Sequence, residues 1–305
     1  MKRIILLHCF FLATLLTATA QISFNERYKT TVRGDMIVVG NNIIGPTKTG
    51  DYNGGGDNND IVQVYVDIDD DPTTFNSSSA EVKDPNPGGS CPRKVKKAFL
   101  YWAGGSEISI SNSNKVKFKV DNGPYQEVVG SLSFSPLNTI YIHVADVTDK
   151  LTNVAGTYTV ANIQVPNSRK NSVAGWVLFI VYEDTSKPAR NISLFDGYSL
   201  VRESNNPHIK VSGFKTAPAP LPVNAKFAFA TLDGDASGTQ DMVLISTNKI
   251  TNEILSTPNR PSYNFFNSTI TDENGINYYR KPKSRNTLGF DIGIFKLENT
   301  NNRIL

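Results

Sequence analysis

Cysteine is nearly absent from this sequence, with Cys9 and Cys91 the only two in 305 residues. Cys9 lies inside an N-terminal apolar run, so Cys91 stands alone in the rest of the chain. That excludes an intramolecular disulfide and any zinc site built on thiolates. Histidine is almost as scarce: of three residues, only His143 and His208 lie beyond that run. No HExxH, no G-x-S-x-G nucleophile elbow and no phosphate-binding glycine loop occurs. Charge of one sign is lacking too, with 31 Lys+Arg against 28 Asp+Glu. Nucleic acid is therefore excluded as the main partner. The one basic cluster, Arg93-Lys94-Val95-Lys96-Lys97, reads as the solvated start of a strand.

Long hydrophobic runs are missing except at the start. Lys2 and Arg3 precede an apolar stretch over residues 4–16, and Ala18-Thr19-Ala20 supplies a small-x-small cleavage pattern. This is the layout of a secretory signal peptide cut after Ala20. The apolar stretch falls short of the ~20 residues a membrane span needs, and no transmembrane segment is expected elsewhere. The mature chain is expected to be secreted or held at the cell surface. Without disulfides it must rely on a sizeable core, which its length can supply.

What is present is alternation. In residues 174–183, Trp176, Leu178, Ile180 and Tyr182 point one way along a strand, while Val177, Phe179 and Val181 point the other. Both faces are apolar, so this reads as a central strand covered on both sides. The polar cluster ending at Pro188 predicts a chain reversal. A second strand through Ile192, Leu194 and Phe195 would complete a core hairpin, with Phe99, Tyr101 and Trp102 packed nearby. Val116, Phe118 and Val120 alternate with Lys115, Lys117 and Lys119, a half-buried strand. Further strands are expected at 61–68, 95–102, 140–144, 156–165, 226–231, 242–246 and 290–295, and loops at 46–60 and 77–90. One short helix is expected at about 145–153. Many short strands with regular turn signals predict an all-β fold, an antiparallel sandwich of jelly-roll type. The Pro/Ala-rich residues 214–223 would join a first lobe, 21–213, to a second, 224–305, packed on it as one unit.

Two acidic stretches are candidate calcium sites. In Asp233-Gly-Asp235-Ala-Ser237-Gly238-Thr239-Gln-Asp241, oxygen ligands recur at alternate positions, glycine stands sixth and an acid ninth. Position twelve is Leu244 rather than a bidentate Glu, so an ordinary hairpin turn is the competing reading. Asp67, Asp69 and Asp71 would share one face of a continued strand, where a cation would relieve their repulsion. Asp51, Asp57 and Asp60 could add to this second site from the neighbouring loop, which otherwise reads as flexible surface. The alternative is an exposed strand end. Structural Ca2+ is the only cofactor these stretches suggest. Tyr263, beside Phe265 and Phe266, and Tyr278 with Tyr279 are the clusters that could form a sugar-binding platform, with packing as the alternative.

Several long segments, taken in order, carry a family likeness. They are RYKTTVRGDMIVVGNNIIG, YVDIDDDPTTFNSSSA, CPRKVKKAFLYWAG, HVADVTDKLTN, GTYTVANIQV, AGWVLFIVYEDTSKPARNISLFDGY, TLDGD, NFFNSTIT and NTLGFDIGIF. Together they resemble the N-terminal region of very large, repeat-containing surface proteins of the Bacteroidetes, with distant relatives among actinobacterial surface proteins. The resemblance implies a β-rich module exported by the Sec route and then across the outer membrane. Such proteins continue into tandem β-sandwich repeats and a sorting domain associated with gliding motility and type IX secretion. The present sequence stops before either, which leaves three readings open: a truncated reading frame, a fragment that is the N-terminal part of a longer adhesin, or a short stand-alone member. No catalytic residue comes with the likeness.

The expected function is thus non-enzymatic: adhesion or surface display, with a surface protein or glycan as partner. A carbohydrate-binding module is the second reading. A secreted hydrolase is the third, since a pair of carboxylates brought together by the fold leaves no sequence spacing to read.

Overall fold

Apolar side chains on both faces of residues 174–183 require a layer above and a layer below, and the fold supplies both. The computed structural model describes residues 22–89, 92–134, 139–201, 207–213, 223–239, 241–247 and 250–299. The expected leader, Cys91, Gln240 and residues 214–222 of the expected connector lie outside them.

In chain order the strands are β1 (Ile22–Asn42), β2 (Ile44–Gly45), β3 (Val64–Tyr65), β4 (Ser77–Val82), β5 (Lys94–Gly105) and β6 (Lys115–Val120). Next come β7 (Gln126–Val129), β8 (Ser131–Phe134), β9 (Ile140–Asp146), β10 (Gly156–Ala161), β11 (Val173–Glu183) and β12 (Ala189–Tyr198). The last are β13 (Val223–Leu232), β14 (Leu244–Thr247), β15 (Ile250–Ile254), β16 (Thr271–Asp272), β17 (Gly275–Ile276), β18 (Arg280–Lys281) and β19 (Phe290–Asn299). A six-stranded sheet has the order β12-β1-β11-β5-β9-β8 and a five-stranded sheet the order β18-β4-β10-β6-β7. The strand pairs in both are antiparallel. The chain is an all-β, antiparallel β-sandwich.

The period-two pattern sorts the core. Trp102 and Leu100 of β5 and Trp176, Leu178 and Ile180 of β11 face the five-stranded sheet, where they meet Phe118, Tyr158 and Val160. Phe99, Tyr101 and Val177 face the other way and pack beneath the two-stranded β13–β19 sheet, against Phe290 and Ile292. The β13–β19 pair sits close because β1 and β11 carry glycine under it. A Cβ on Gly175 would lie 2.7 Å from the Phe290 ring, and one on Gly40 would lie 2.6 Å from the Ile292 methyl.

Four local expectations are corrected. The hairpin between β11 and β12 does not form, because β1 stands between them in the sheet. Along β1, Asn42 to Gly34 pair with Gly175 to Glu183, and Arg33 to Ile22 then pair with Ala189 to Tyr198. The chain therefore keeps its direction through residues 184–188 and only shifts across β1. The helix at 145–153 is a single 3-10 turn, Thr148–Lys150. Buried Val147, Leu151 and Val154 anchor that stretch into the core, and Asp146 Oδ1 accepts from the Thr148 amide at 3.0 Å.

The strand expected over 61–68 shrinks to β3, since Val66 and Asp67 donate their amides to Ile43 and Lys48 in the first loop. The loop expected over 77–90 begins instead as β4, whose serines are buried. Two of the hydroxyls are bonded: Trp176 Nε1 donates to Ser78 Oγ at 2.9 Å, and Ser77 Oγ shares its proton between carboxylates, 2.8 Å from Asp69 and 3.0 Å from Asp67.

The second half of the chain is stitched to the first. β18 extends the five-stranded sheet by pairing with β4. Beside it, buried Arg280 donates to Asn41 Oδ1 at 2.9 Å and to the carbonyls of Asn277, Pro282 and Ser284. Loop 51–56 lies along residues 283–286: Lys283 N donates to Asp51, Arg285 N to Asn53, and Asn286 Nδ2 to the carbonyls of Gly54 and Gly56. The stretch that read as flexible surface is fastened at Asp51, Tyr52, Asn53, Gly54 and Gly56.

Candidate functional site

The loop 233–241 leaves the end of β13 and folds under residues 264–268. Asp233 adopts positive φ, and its amide donates to the Gly289 carbonyl at 2.7 Å. Gly234 has no room for a side chain, because a Cβ would meet Asp291 and the Phe266 carbonyl. Its own carbonyl accepts from Ser268 Oγ at 2.5 Å. Asn264 Nδ2 donates to the carbonyls of Asp235 and Ala236, at 3.1 and 3.3 Å. Asp241 is bridged to Asn264 along the backbone.

Residues from the first half join this loop. Asp57, 7% exposed, accepts from the Ser237 amide at 3.1 Å and from its hydroxyl. Asn58 Nδ2 donates to Asp233 Oδ1 at 2.6 Å. Asp57 thus belongs to the 233–241 loop rather than to the second acidic run, where its sequence neighbourhood placed it. Burial, followed by the nearby charges of Asp57, Asp233, Asp241 and Asp291, pushes the Asp235 carboxyl up to about 6. Burial and Asp291 also raise Asp241. Ser237 and Thr239 are exposed.

Beneath the loop lies a buried pair that sequence reading missed. Arg260 and Asp291 are 1% and 0% exposed and meet at 2.7 Å. The remaining Arg260 donors reach the carbonyls of Phe265, Thr269 and Ile292 and the Thr271 hydroxyl. Asp291 also accepts the amides of Ser268 and Thr269. Burial pushes Asp291 up, against the pull of Arg260. The Arg260 guanidinium packs on Phe229, 5.0 Å from the ring centroid, beside the Phe265–Phe266 ring contact.

The second acidic run has protein partners at each candidate position. Asp67 pairs with Lys48 at 3.2 Å. Asp69 accepts from Lys119 at 2.6 Å, from Tyr125 at 2.7 Å and from Ser77 at 2.8 Å. Burial raises the Asp69 carboxyl, but these donors outweigh it and hold it below the ordinary range. Asp71 accepts the amide and hydroxyl of Thr73, closing its own turn. Lysines stand where a cation was expected to relieve repulsion.

The three candidate tyrosines are exposed: Tyr263 60%, Tyr278 50% and Tyr279 51%. Lys83 Nζ sits 3.9 Å over the Tyr279 ring and occupies one of its faces. His143 is buried, its ring 5.6 Å from Trp102 and 5.2 Å from Tyr141, with Nε2 2.9 Å from Ser113 Oγ.

Sequence reading also missed an apolar trough of about 1020 Å³ over the outer face of the six-stranded sheet. Phe24, Tyr28, Phe179, Leu194, Phe227 and Phe229 are among its walls. Among the described residues β12 is the outermost strand of that sheet, and β13 pairs with β19 alone. At one end Asp35 pairs with Arg190 and with Lys226, the latter at 3.1 Å. Burial would raise the Asp35 carboxyl, but the two cations outweigh it and hold it down. At the other end Asp196 pairs with Arg27 and accepts from Tyr101 OH at 3.0 Å. Among the described residues no helix is long and apolar enough to cross a membrane.

No family model, curated protein or solved structure matches the chain.

Proposed function

We propose that this chain is a non-enzymatic, exported cell-surface module serving adhesion or display, the N-terminal part of a longer adhesin. The observation that carries the reading is the trough. Exposed apolar concavities of this size, with a few polar groups at their ends, are where proteins take partners. One of its walls, β13, pairs among the described residues with β19 alone, so an extended apolar segment of a surface protein fits by adding main-chain hydrogen bonds along it. The charged groups at both ends would fix its direction. The leader sequence and the resemblance to Bacteroidetes surface proteins support export.

The test is binding of purified residues 21–305 to immobilised extracellular-matrix proteins, to intact cells and to a glycan array. Saturable binding to protein or cells that Phe227→Asp abolishes, with unfolding temperature retained, supports the reading. Binding to glycans alone that is lost on replacing Tyr263 and Tyr278 supports the carbohydrate-binding alternative, which the exposure of those tyrosines favours. Release of product from polysaccharides by the pure protein would instead favour a hydrolase.

A further inference from the structure

Asn264 is 5% exposed, and its Oδ1 has no hydrogen-bond partner. The orientation of the amide is set by its other atom, since Nδ2 donates to the carbonyls of Asp235 and Ala236. Turning the group over would press its oxygen against those two carbonyl oxygens. Oδ1 therefore faces the 233–241 loop, 3.4 Å from the position a Cβ would take on Gly238. A buried acceptor with no donor is uncommon and calls for a ligand.

The loop it faces holds Asp233, Asp235 and Asp241, with Asp57 brought in from the first half and Asp291 beneath. Arg260 does not neutralise them: its donors are committed to Asp291, to three carbonyls and to Thr271. Among the described residues no lysine or arginine forms an ion pair with Asp57, Asp233, Asp235 or Asp241, in contrast to the lysines on Asp67 and Asp69. An unmatched acidic loop and an unmatched neutral oxygen thus coincide.

We propose that a calcium ion binds here, with Asp235, Asp241 and Asn264 Oδ1 as its first ligands, and clasps the first half of the chain to the second through Asp57. The donor set is that of a hard, flexible cation: carboxylates of moderate number completed by amide and main-chain oxygens and water. Among the described residues no three Asp, Glu, His or Cys side chains already stand together as a ligand group, so the site requires Asn264 Oδ1, main-chain oxygens and movement of the loop carboxylates onto the ion. Asp57 and Asn58 already bond Ser237 and Asp233 across the seam. An ion on the loop therefore stiffens the join between loop 51–58 and the β13 end.

The experiment is thermal unfolding of residues 21–305 in millimolar calcium, in magnesium and in chelator, for the parent and three variants. The parent midpoint rises by several degrees in calcium over chelator. Asp235→Asn and Asn264→Leu abolish that rise, and Asp69→Asn keeps it. Asp235→Asn alters no packing, so it carries the test if Asn264→Leu does not fold. Coincident curves in calcium and chelator overturn the proposal. So does a rise that survives Asp235→Asn but vanishes in Asp69→Asn, and an equal response to magnesium overturns the assignment to calcium.

Discussion

Replacing Asp235 by asparagine separates two effects of opposite sign. In chelator at pH 7.5 the carboxylate sits half-buried among four others, and its pKa is about 6 rather than the ordinary 3.8. A carboxyl raised in the folded state adds stability below its unfolded pKa and loses it as pH rises through the folded value. Between pH 4 and 6 the ion-free protein therefore loses stability that Asp235→Asn does not lose. A displacement from 3.8 to 6 corresponds to at most ~3 kcal/mol. Solvent screening of a partly exposed group reduces that to about 1–1.5 kcal/mol. For a chain of this size each kcal/mol moves the midpoint by roughly 2–4 °C. Asp235→Asn should thus melt a few degrees above the parent in chelator at pH 7.5, and level with it near pH 4. Differential scanning calorimetry across pH reads both. A variant that melts below the parent at pH 7.5 in chelator would refute the electrostatic reasoning about this loop.

Further outcomes follow from the same structure. Arg260→Ala should cost roughly 3–5 kcal/mol in urea unfolding, because it leaves Asp291 charged and buried without its partner. Gly175→Val should cost about 1–3 kcal/mol, since its side chain would press on Phe290 and part the β13–β19 pair from the sheet. Leu178→Ala, in the layer between the sheets, should cost about 2–5 kcal/mol. Burial holds His143 below its ordinary pKa, so it adds stability above about pH 6.5 that is lost as pH falls through its folded value. His143→Gln should flatten that acid-side decline in a pH series of melts relative to the parent, and an identical slope in both proteins would contradict it.

Much of the architecture was legible because alternation is a local signal. Residues 176–182 declared two buried faces, and the structure lays the five-stranded sheet on one and the β13–β19 pair on the other. Val116 and Phe118 declared one buried face, and both are 1% exposed. The misses share a cause: their stabilising partners are far away in sequence. Ser77, Ser78 and Ser79 read as loop because serine burial needs bonding partners, and Trp176 supplies one across the sandwich. Asn41 closes a buried network with Arg280, 239 residues on, and nothing near it in sequence signals that bond. The 233–241 loop announced its own oxygens through their spacing. Asp57, 180 residues from Ser237, and Asn264 carry no spacing signal at all. The trough was equally hidden, because its walls come from β1, β11, β12 and β13 at once.

The proposed role depends on surface contacts made through that trough. Deletion of the gene in its source cells, with complementation by the parent or by Phe227→Asp at equal surface levels, tests it most directly. Attachment should fall on deletion, return with the parent and fail to return with Phe227→Asp. Attachment unchanged by deletion, or restored fully by Phe227→Asp, would contradict the account.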